Sequence, residues 1–218
     1  MIQKKDFVPA SGGSFCPIAA MIVEPEKFLI CYMMFDSPNF NLMLWDLTSG
    51  KSIWNESTCG PPPTNSLSSD RTKLITVWGT MCRVHDPMTG VEQMRFEGHD
   101  GTVLATSLSP DGRYLASTGC DKRLRIWDCA DGSESAEIRE LASVVGWSHD
   151  GRYVICAGGE LNSVRFWNYA SGKLSAHVSV PTTVRSLSSH PRDPTLACGL
   201  SDGRFIMINY GQIATHEA

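Results

Sequence analysis

The sequence predicts an all-β fold assembled from about five repeated, four-stranded antiparallel units, and three observations carry that prediction. A short apolar strand followed by Asp or Asn returns throughout the chain. The copies read Leu44-Trp45-Asp46, Val84-His85-Asp86, Ile126-Trp127-Asp128, Phe166-Trp167-Asn168 and, more weakly, Met207-Ile208-Asn209, in steps of 40, 42, 40 and 41 residues. Turn residues fall at matching places, with Asp-Gly at 111–112 and 150–151 and a glycine after each aromatic at 50, 90, 132 and 172. Between turns lie runs of five to eight residues rich in Val, Ile, Leu, Thr and Tyr, and no ten-residue stretch keeps a helical apolar stripe.

Each unit reads as four strands, a to d. In the third they are expected over 103–109, 114–118, 124–129 and 135–139. One such sheet leaves two faces and two edges uncovered, and radial stacking of sheets as blades is the β-propeller solution. The chain is therefore expected to be one domain, 1–218, with blades at about 15–59, 60–97, 98–140, 141–180 and 181–218. A closed five-bladed ring, an open arc completed by a partner and a piece of a longer propeller all fit five units. A closing strand is expected either from 2–8 or from a short strand d at 212–215.

Composition bounds the function. The 218 residues are 42% hydrophobic and 19% charged, ordinary values for a folded chain. The net charge of −4 comes without a basic stripe, so nucleic acid is not an expected partner. The longest early apolar run, 28–35, is too short to cross a bilayer, and no basic-then-apolar leader opens the chain. The cytoplasm or nucleus is the expected compartment. The eight cysteines contain no C-x-x-C pair, and neither a metal nor a cofactor is expected. Cys31, Thr76, Ser117, Cys156 and Cys198 align at one strand-b position, which reads as a slot for a small buried side chain.

The third unit carries Gly98-His99 before strand a, Ser109-Pro110-Asp111-Gly112 at the a–b turn, Leu115-Ala116-Ser117 in strand b, Asp121 in the b–c turn and Ile126-Trp127-Asp128 closing strand c. This pattern resembles the WD40-repeat family over about 15–210. The resemblance implies a structural hydrogen-bond chain joining His99, Ser117, Asp121 and Trp127. The other units depart from it, with His85 in place of Trp, no His before the fourth strand a, and Ile208 in the fifth. Apolar packing is expected to hold those blades.

No G-x-S-x-G elbow, Walker loop or G-x-G-x-x-G run is present. The expected function is a non-catalytic scaffold for protein–protein assembly, with protein or peptide partners on the face formed by the d–a and b–c loops. A chain completing the propeller is a further candidate partner. Trp78, Lys122, Arg123 and Arg185 are the candidate partner-binding residues. Trp78 is read either as an interface anchor or as packing against the next blade. The alternatives from other classes are a propeller enzyme with ionisable groups converging on the axis and a nucleic-acid-associated propeller subunit.

Overall fold

Two kinds of turn set the strand frame. At the a–b turn of the third unit the Ser109 hydroxyl donates to Asp111 Oδ1 at 2.6 Å and accepts from the Tyr114 backbone N–H at 2.9 Å. Ser148, Asp150 and Tyr153 repeat this at 2.6 and 2.9 Å, and Ser68, Asp70 and Lys73 form a third copy. The left-handed position of the turn is Gly112 or Gly151 in two copies, but Arg71, at φ 61°, in the other. At the c–d turn the Asp or Asn after the aromatic accepts backbone N–H bonds: Asp46 from Thr48, Asp86 from Met88, Asp128 from Ala130 and Asn168 from Ser171, at 2.7 to 2.9 Å. The recurrent Asp is thus a turn-closing acceptor.

These turns have a pH consequence. Hydrogen bonds from the Ser68 hydroxyl and from the backbone and hydroxyl of Thr72 hold Asp70 at about 2. Burial pushes Asp111 and Asp150 up, but their serine hydroxyls and the backbone N–H groups of Arg113 and Arg152 outweigh it and leave both below 3.8. A carboxyl lowered in the folded state stabilises fully above its ordinary value and loses that contribution as pH falls through the folded value. The thermal midpoint is therefore expected to drop between about pH 4 and pH 2, and Asp70→Asn to flatten part of that drop in melts taken across the range.

In the computed structural model, residues 15–34, 40–58, 67–159 and 162–213 are described. They form five antiparallel sheets arranged as propeller blades. The first is β1 (Phe15–Glu24), β2 (Lys27–Met34), β3 (Phe40–Asp46) and β4 (Lys51–Thr58). The second is β5 (Leu74–Trp78), β6 (Met81–His85) and β7 (Glu92–Phe96). The third is β8 (Val103–Leu108), β9 (Tyr114–Gly119), β10 (Arg123–Asp128) and β11 (Glu134–Arg139). The fourth is β12 (Val144–Trp147), β13 (Tyr153–Ala157), β14 (Ser163–Asn168) and β15 (Lys173–Ser179), and the fifth is β16 (Val184–Ser189), β17 (Thr195–Leu200) and β18 (Phe205–Asn209). Among the described residues no helix is long and apolar enough to cross a membrane.

Four strands per blade holds for three sheets. Among the described residues the second keeps only the isolated Leu67–Leu74 bridge where strand a was expected, and the fifth has no strand d. Residues 211–213 turn back, with the Ile213 N–H on the Tyr210 carbonyl at 3.0 Å, so a strand does not begin at 212. The alternative closing strand, 2–8, lies outside the described residues.

The register shows a repeated irregularity that spacing alone could not. Strands c and d slip by one residue just before the aromatic, between Leu44 and Trp45, Val84 and His85, Ile126 and Trp127, and Phe166 and Trp167. Such a bulge adds local twist and re-aims the side chain beside it. The register also corrects the strand-b slot. Thr76, Ser117, Cys156 and Cys198 pair with the residue two before the aromatic position, but in the first sheet that partner is Ile30, not Cys31. Cys156 and Cys198 are buried, and burial pushes their thiols up to about 12 and about 11.

The core is divided among the seams between blades. Leu42 and Leu44 pack with Leu74; Cys82 and Val84 with Leu115 and Trp127; Leu124 and Ile126 with Trp147 and Val154; and Val164 and Phe166 with Leu187, Leu196 and Ile208. Strands c therefore turn one face to the following blade and carry the aromatic on the other. Strands β8, β12 and β16 pack against one another in succession, so the a strands lie innermost.

Candidate partner-binding cleft

The third blade assembles its polar chain in full. The Trp127 indole N–H donates to Ser117 Oγ at 2.8 Å, Ser117 lies 2.8 Å from His99 Nε2, and His99 Nδ1 lies 2.9 Å from Asp121 Oδ2. Donors and acceptors balance when His99 carries its proton on Nδ1. Gly119 is required beside this chain: a Cβ there would stand 2.6 Å from His99 Nδ1 and 2.7 Å from Asp121 Oδ1. Burial pushes the Asp121 carboxyl up, but the His99 hydrogen bond and the backbone N–H groups of Asp100 and Arg123 outweigh it and hold it below the ordinary value. The second blade retains a short version, with Thr76 Oγ1 2.9 Å from His85 Nε2 and the Gly90 carbonyl 3.2 Å from His85 Nδ1. A polar link therefore supplements apolar packing there.

Asp121 also positions a charged turn. Its carboxylate accepts from the Arg123 N–H at 3.2 Å, and Lys122 between them takes the left-handed conformation at φ 61°. Lys122 and Arg123 stand at a cleft of about 630 Å³ in the seam between the third and fourth blades. Arg139, Glu140 and Leu141 complete the third-blade wall, and Arg165, Trp167 and Leu174 come from β14 and β15. Arg123 is directly opposite Arg139 across β10 and β11, a like-charge pairing that destabilises a sheet. Glu137 contacts Arg123, and the buried Glu140 contacts Arg165. Lys122 and Arg139 have no carboxylate partner among the described residues. Lys122, Arg123, Arg139 and Arg165 thus line the cleft with Trp167 and Leu174, Arg123 and Arg139 lying on the sheet face of Trp127, which is turned to the second blade. The buried Trp167 indole N–H has no well-formed hydrogen bond and faces the weakly accepting Cys156 thiol, which occupies the place of Ser117.

The other two candidates lie elsewhere. Trp78 ends β5, half-buried, and shares a sheet face with Thr76, which the β5–β6 register pairs with Arg83. That face turns toward the preceding blade, where Arg83 is 3.8 Å from Glu56, and not toward the next one. The Arg83 guanidinium covers the Trp78 ring at 4.9 Å. Trp78 occupies the position of Gly119, and the second blade has no His–Asp pair there to exclude a large side chain. Arg185 is exposed on β16.

Sequence reasoning missed Arg139 and a repeated arginine. Arg83, Arg125 and Arg165 each sit two residues before the aromatic position, side chains 19%, 11% and 14% exposed, paired with Glu92, Glu137 and Glu140. The Arg-x-His and Arg-x-Trp spacing was the available signal.

A second cavity, about 400 Å³, lies among the a strands and a–b turns. Its two histidines are engaged locally, His149 Nδ1 with the Tyr210 hydroxyl at 3.1 Å and His190 Nδ1 with Asp193 at 3.1 Å. Among the described residues no cluster of His, Cys, Asp and Glu could hold a metal ion.

Blades closed by a Trp-Asp turn and a Trp–Ser–His–Asp chain define a class of repeat propeller, and comparison with known proteins agrees. The family model described as WD domain, G-beta repeat matches residues 90–128, 131–168 and 170–209, more than half of the chain, and the chain belongs to that family. Each match runs from the end of one blade's strand c through strand d to strand c of the next, so the sequence repeat straddles two blades. The p21-activated protein kinase-interacting protein 1-like of Xenopus laevis is 35% identical over 98 residues, covering 42% of this chain and 24% of that protein. The small ribosomal subunit protein RACK1y of Oryza sativa subsp. japonica is 29% identical over 147 residues, covering 63% and 41%. A chain in the crystal structure of the Mitotic Checkpoint Complex superposes with a TM-score of 0.68 at 19% identity, over 85% of this chain and 60% of that one. The chain thus spans less than half of those curated relatives.

Proposed function

We propose that this chain is a non-catalytic scaffold for protein assembly in the cytoplasm or nucleus, and that the cleft between its third and fourth blades receives an acidic segment of a protein partner. The observation that carries this reading is the gathering of Lys122, Arg123, Arg139 and Arg165 at one cleft beside Trp167 and Leu174. Glu137 relieves Arg123, so the charge of Arg139 and of Lys122 is what an incoming anion would relieve, and such local conflicts concentrate at functional sites. Membership of a propeller family supports it, as does likeness to a protein named for its interaction with a kinase and to a chain within a checkpoint complex. The engagement of both axial histidines in structural bonds supports the non-catalytic part.

The test is fluorescence anisotropy with a labelled peptide alternating Glu and Leu and a control alternating Lys and Leu. The acidic peptide is expected to bind, more weakly as salt rises, and Lys122→Glu with Arg139→Glu to reduce affinity at least about tenfold. Equal binding of the basic peptide, or no effect of the double substitution, would overturn the proposal.

A further inference from the structure

The chain holds five Asp-Gly pairs, at 100–101, 111–112, 131–132, 150–151 and 202–203. Asp-Gly is the pair in which a backbone nitrogen most readily attacks the preceding side-chain carboxyl, because glycine has no Cβ to shield it. In four of the five pairs both reacting groups are occupied. Their glycine N–H groups donate to backbone carbonyls, Gly112 to Ser109, Gly132 to Asp128, Gly151 to Ser148 and Gly203 to Leu200, at 2.8 to 3.1 Å. Their carboxylates are held as well: Asp111 and Asp150 by serine hydroxyls at 2.6 Å, Asp131 by the Ser133 N–H at 2.9 Å, and Asp202 by the Arg204 guanidinium at 2.6 Å. Hydrogen bonding of this kind favours the ionised carboxylate, which is the poorer electrophile. The pair before β8 is the exception. Among the described residues, neither the Gly101 N–H nor the exposed Asp100 carboxylate has a hydrogen-bond or ion-pair partner. Gly101 also lacks the left-handed backbone that the other four glycines share, at φ 68° to 84°. The chain on either side of the pair is anchored to the b–c turn: the Asp100 N–H donates to Asp121 Oδ2 at 3.2 Å, and the Thr102 carbonyl accepts from the Cys120 N–H at 2.9 Å.

We infer that Asp100–Gly101 is a self-modification site, at which the folded protein converts Asp100 to isoaspartate. The Gly101 nitrogen forms a bond to Asp100 Cγ and gives up its proton, and the carboxyl hydroxyl leaves as water, closing a succinimide. Water then adds to one of the two ring carbonyls, and the bond from that carbonyl to its neighbour in the chain or ring, the Gly101 nitrogen, breaks. Opening at Cγ restores aspartate. Opening at the α-carbonyl leaves the chain linked through Cγ and longer by one methylene. That methylene falls between the two anchors on the b–c turn, so the Asp100–Asp121 bond or the Thr102–Cys120 bond gives way beside the His99–Asp121 pair. The reaction needs only water, whatever occupies the cleft.

The test incubates the full folded chain for weeks at neutral pH and body temperature, beside a sample unfolded in guanidinium chloride. Isoaspartate is read by methyl transfer from S-adenosylmethionine with an isoaspartate methyltransferase, and placed by peptide mapping. In the folded chain the Asp100 peptide is expected to carry about tenfold more isoaspartate than any other Asp-Gly peptide, because hydrogen bonds must break before the other four pairs react. In the unfolded sample the five pairs are expected to age alike. Asp100→Glu, whose longer side chain closes a six-membered ring far more slowly, is expected to remove the signal. It is also expected to hold the thermal midpoint through the incubation, while the unsubstituted protein loses about 4 °C. Isoaspartate spread evenly over the five pairs of the folded chain, or absent from Asp100, would overturn the inference. So would the same preference for Asp100 in the unfolded sample, since the selection would then lie in the local sequence and not in the fold.

Discussion

Trp127→Ala is expected to lower the unfolding free energy by about 4 kcal/mol, as large as any single substitution in this chain. The indole is 3% exposed, packs with Phe96 and Leu115 in the seam between the second and third blades, and donates to Ser117. Its removal leaves a cavity and withdraws a donor from the Trp–Ser–His–Asp chain. Trp127→Phe separates the two effects: it keeps most of the packing and is expected to cost about 2 kcal/mol for the lost bond. Urea denaturation of both variants measures the difference. Equal losses would assign the whole effect to volume and leave the polar chain without energetic weight.

Arg165→Met is expected to destabilise by about 4 kcal/mol, because it strands the buried Glu140 carboxylate without its cation. Adding Glu140→Leu should restore stability to within about 1 kcal/mol of the starting protein, since a buried ion pair replaced on both sides by apolar groups is close to neutral. The double-mutant cycle therefore predicts a strongly non-additive result. Additive losses would show that each side chain acts through separate contacts. The pair also shapes the cleft, as Arg165 and Glu140 both line it.

Much of this structure can be read from the chain. The forty-residue period follows from Trp45, His85, Trp127, Trp167 and Ile208, and the structure gives each of these positions the same place in a strand c. His99, Ser117, Asp121 and Trp127 could be named together because the third unit carries every element of the family pattern. What stayed hidden depends on register. The strand-b slot read at Cys31 falls at Ile30, and nothing in spacing shows that β2 pairs Ile30, not Cys31, with the residue two before Trp45. Arg139 could not be placed opposite Arg123, because the bulge before Trp127 shifts the pairing of β10 with β11 by one. Of the two readings of Trp78, interface anchor or packing against the next blade, the β5–β6 register overturns the direction of the second by turning the side chain to the previous blade.

The site follows the same division. Lys122 and Arg123 are visible as a charged turn in the sequence, and a solvated turn reads the same way. Their meaning comes from two things the sequence does not show: Arg139 across the sheet, and Trp167 and Leu174 contributed to the same cleft by the neighbouring blade. Function here is a property of a seam, and a seam is not a segment.

The most direct test is therefore a footprint of the bound acidic peptide. Hydrogen–deuterium exchange of the full chain with and without the Glu–Leu peptide is expected to show new protection at 121–123, 139–141 and 165–167, and little change elsewhere. Protection confined instead to the Trp78 hairpin, to Arg185 or to the a–b turns around the axial cavity would contradict a binding site in the cleft between the third and fourth blades.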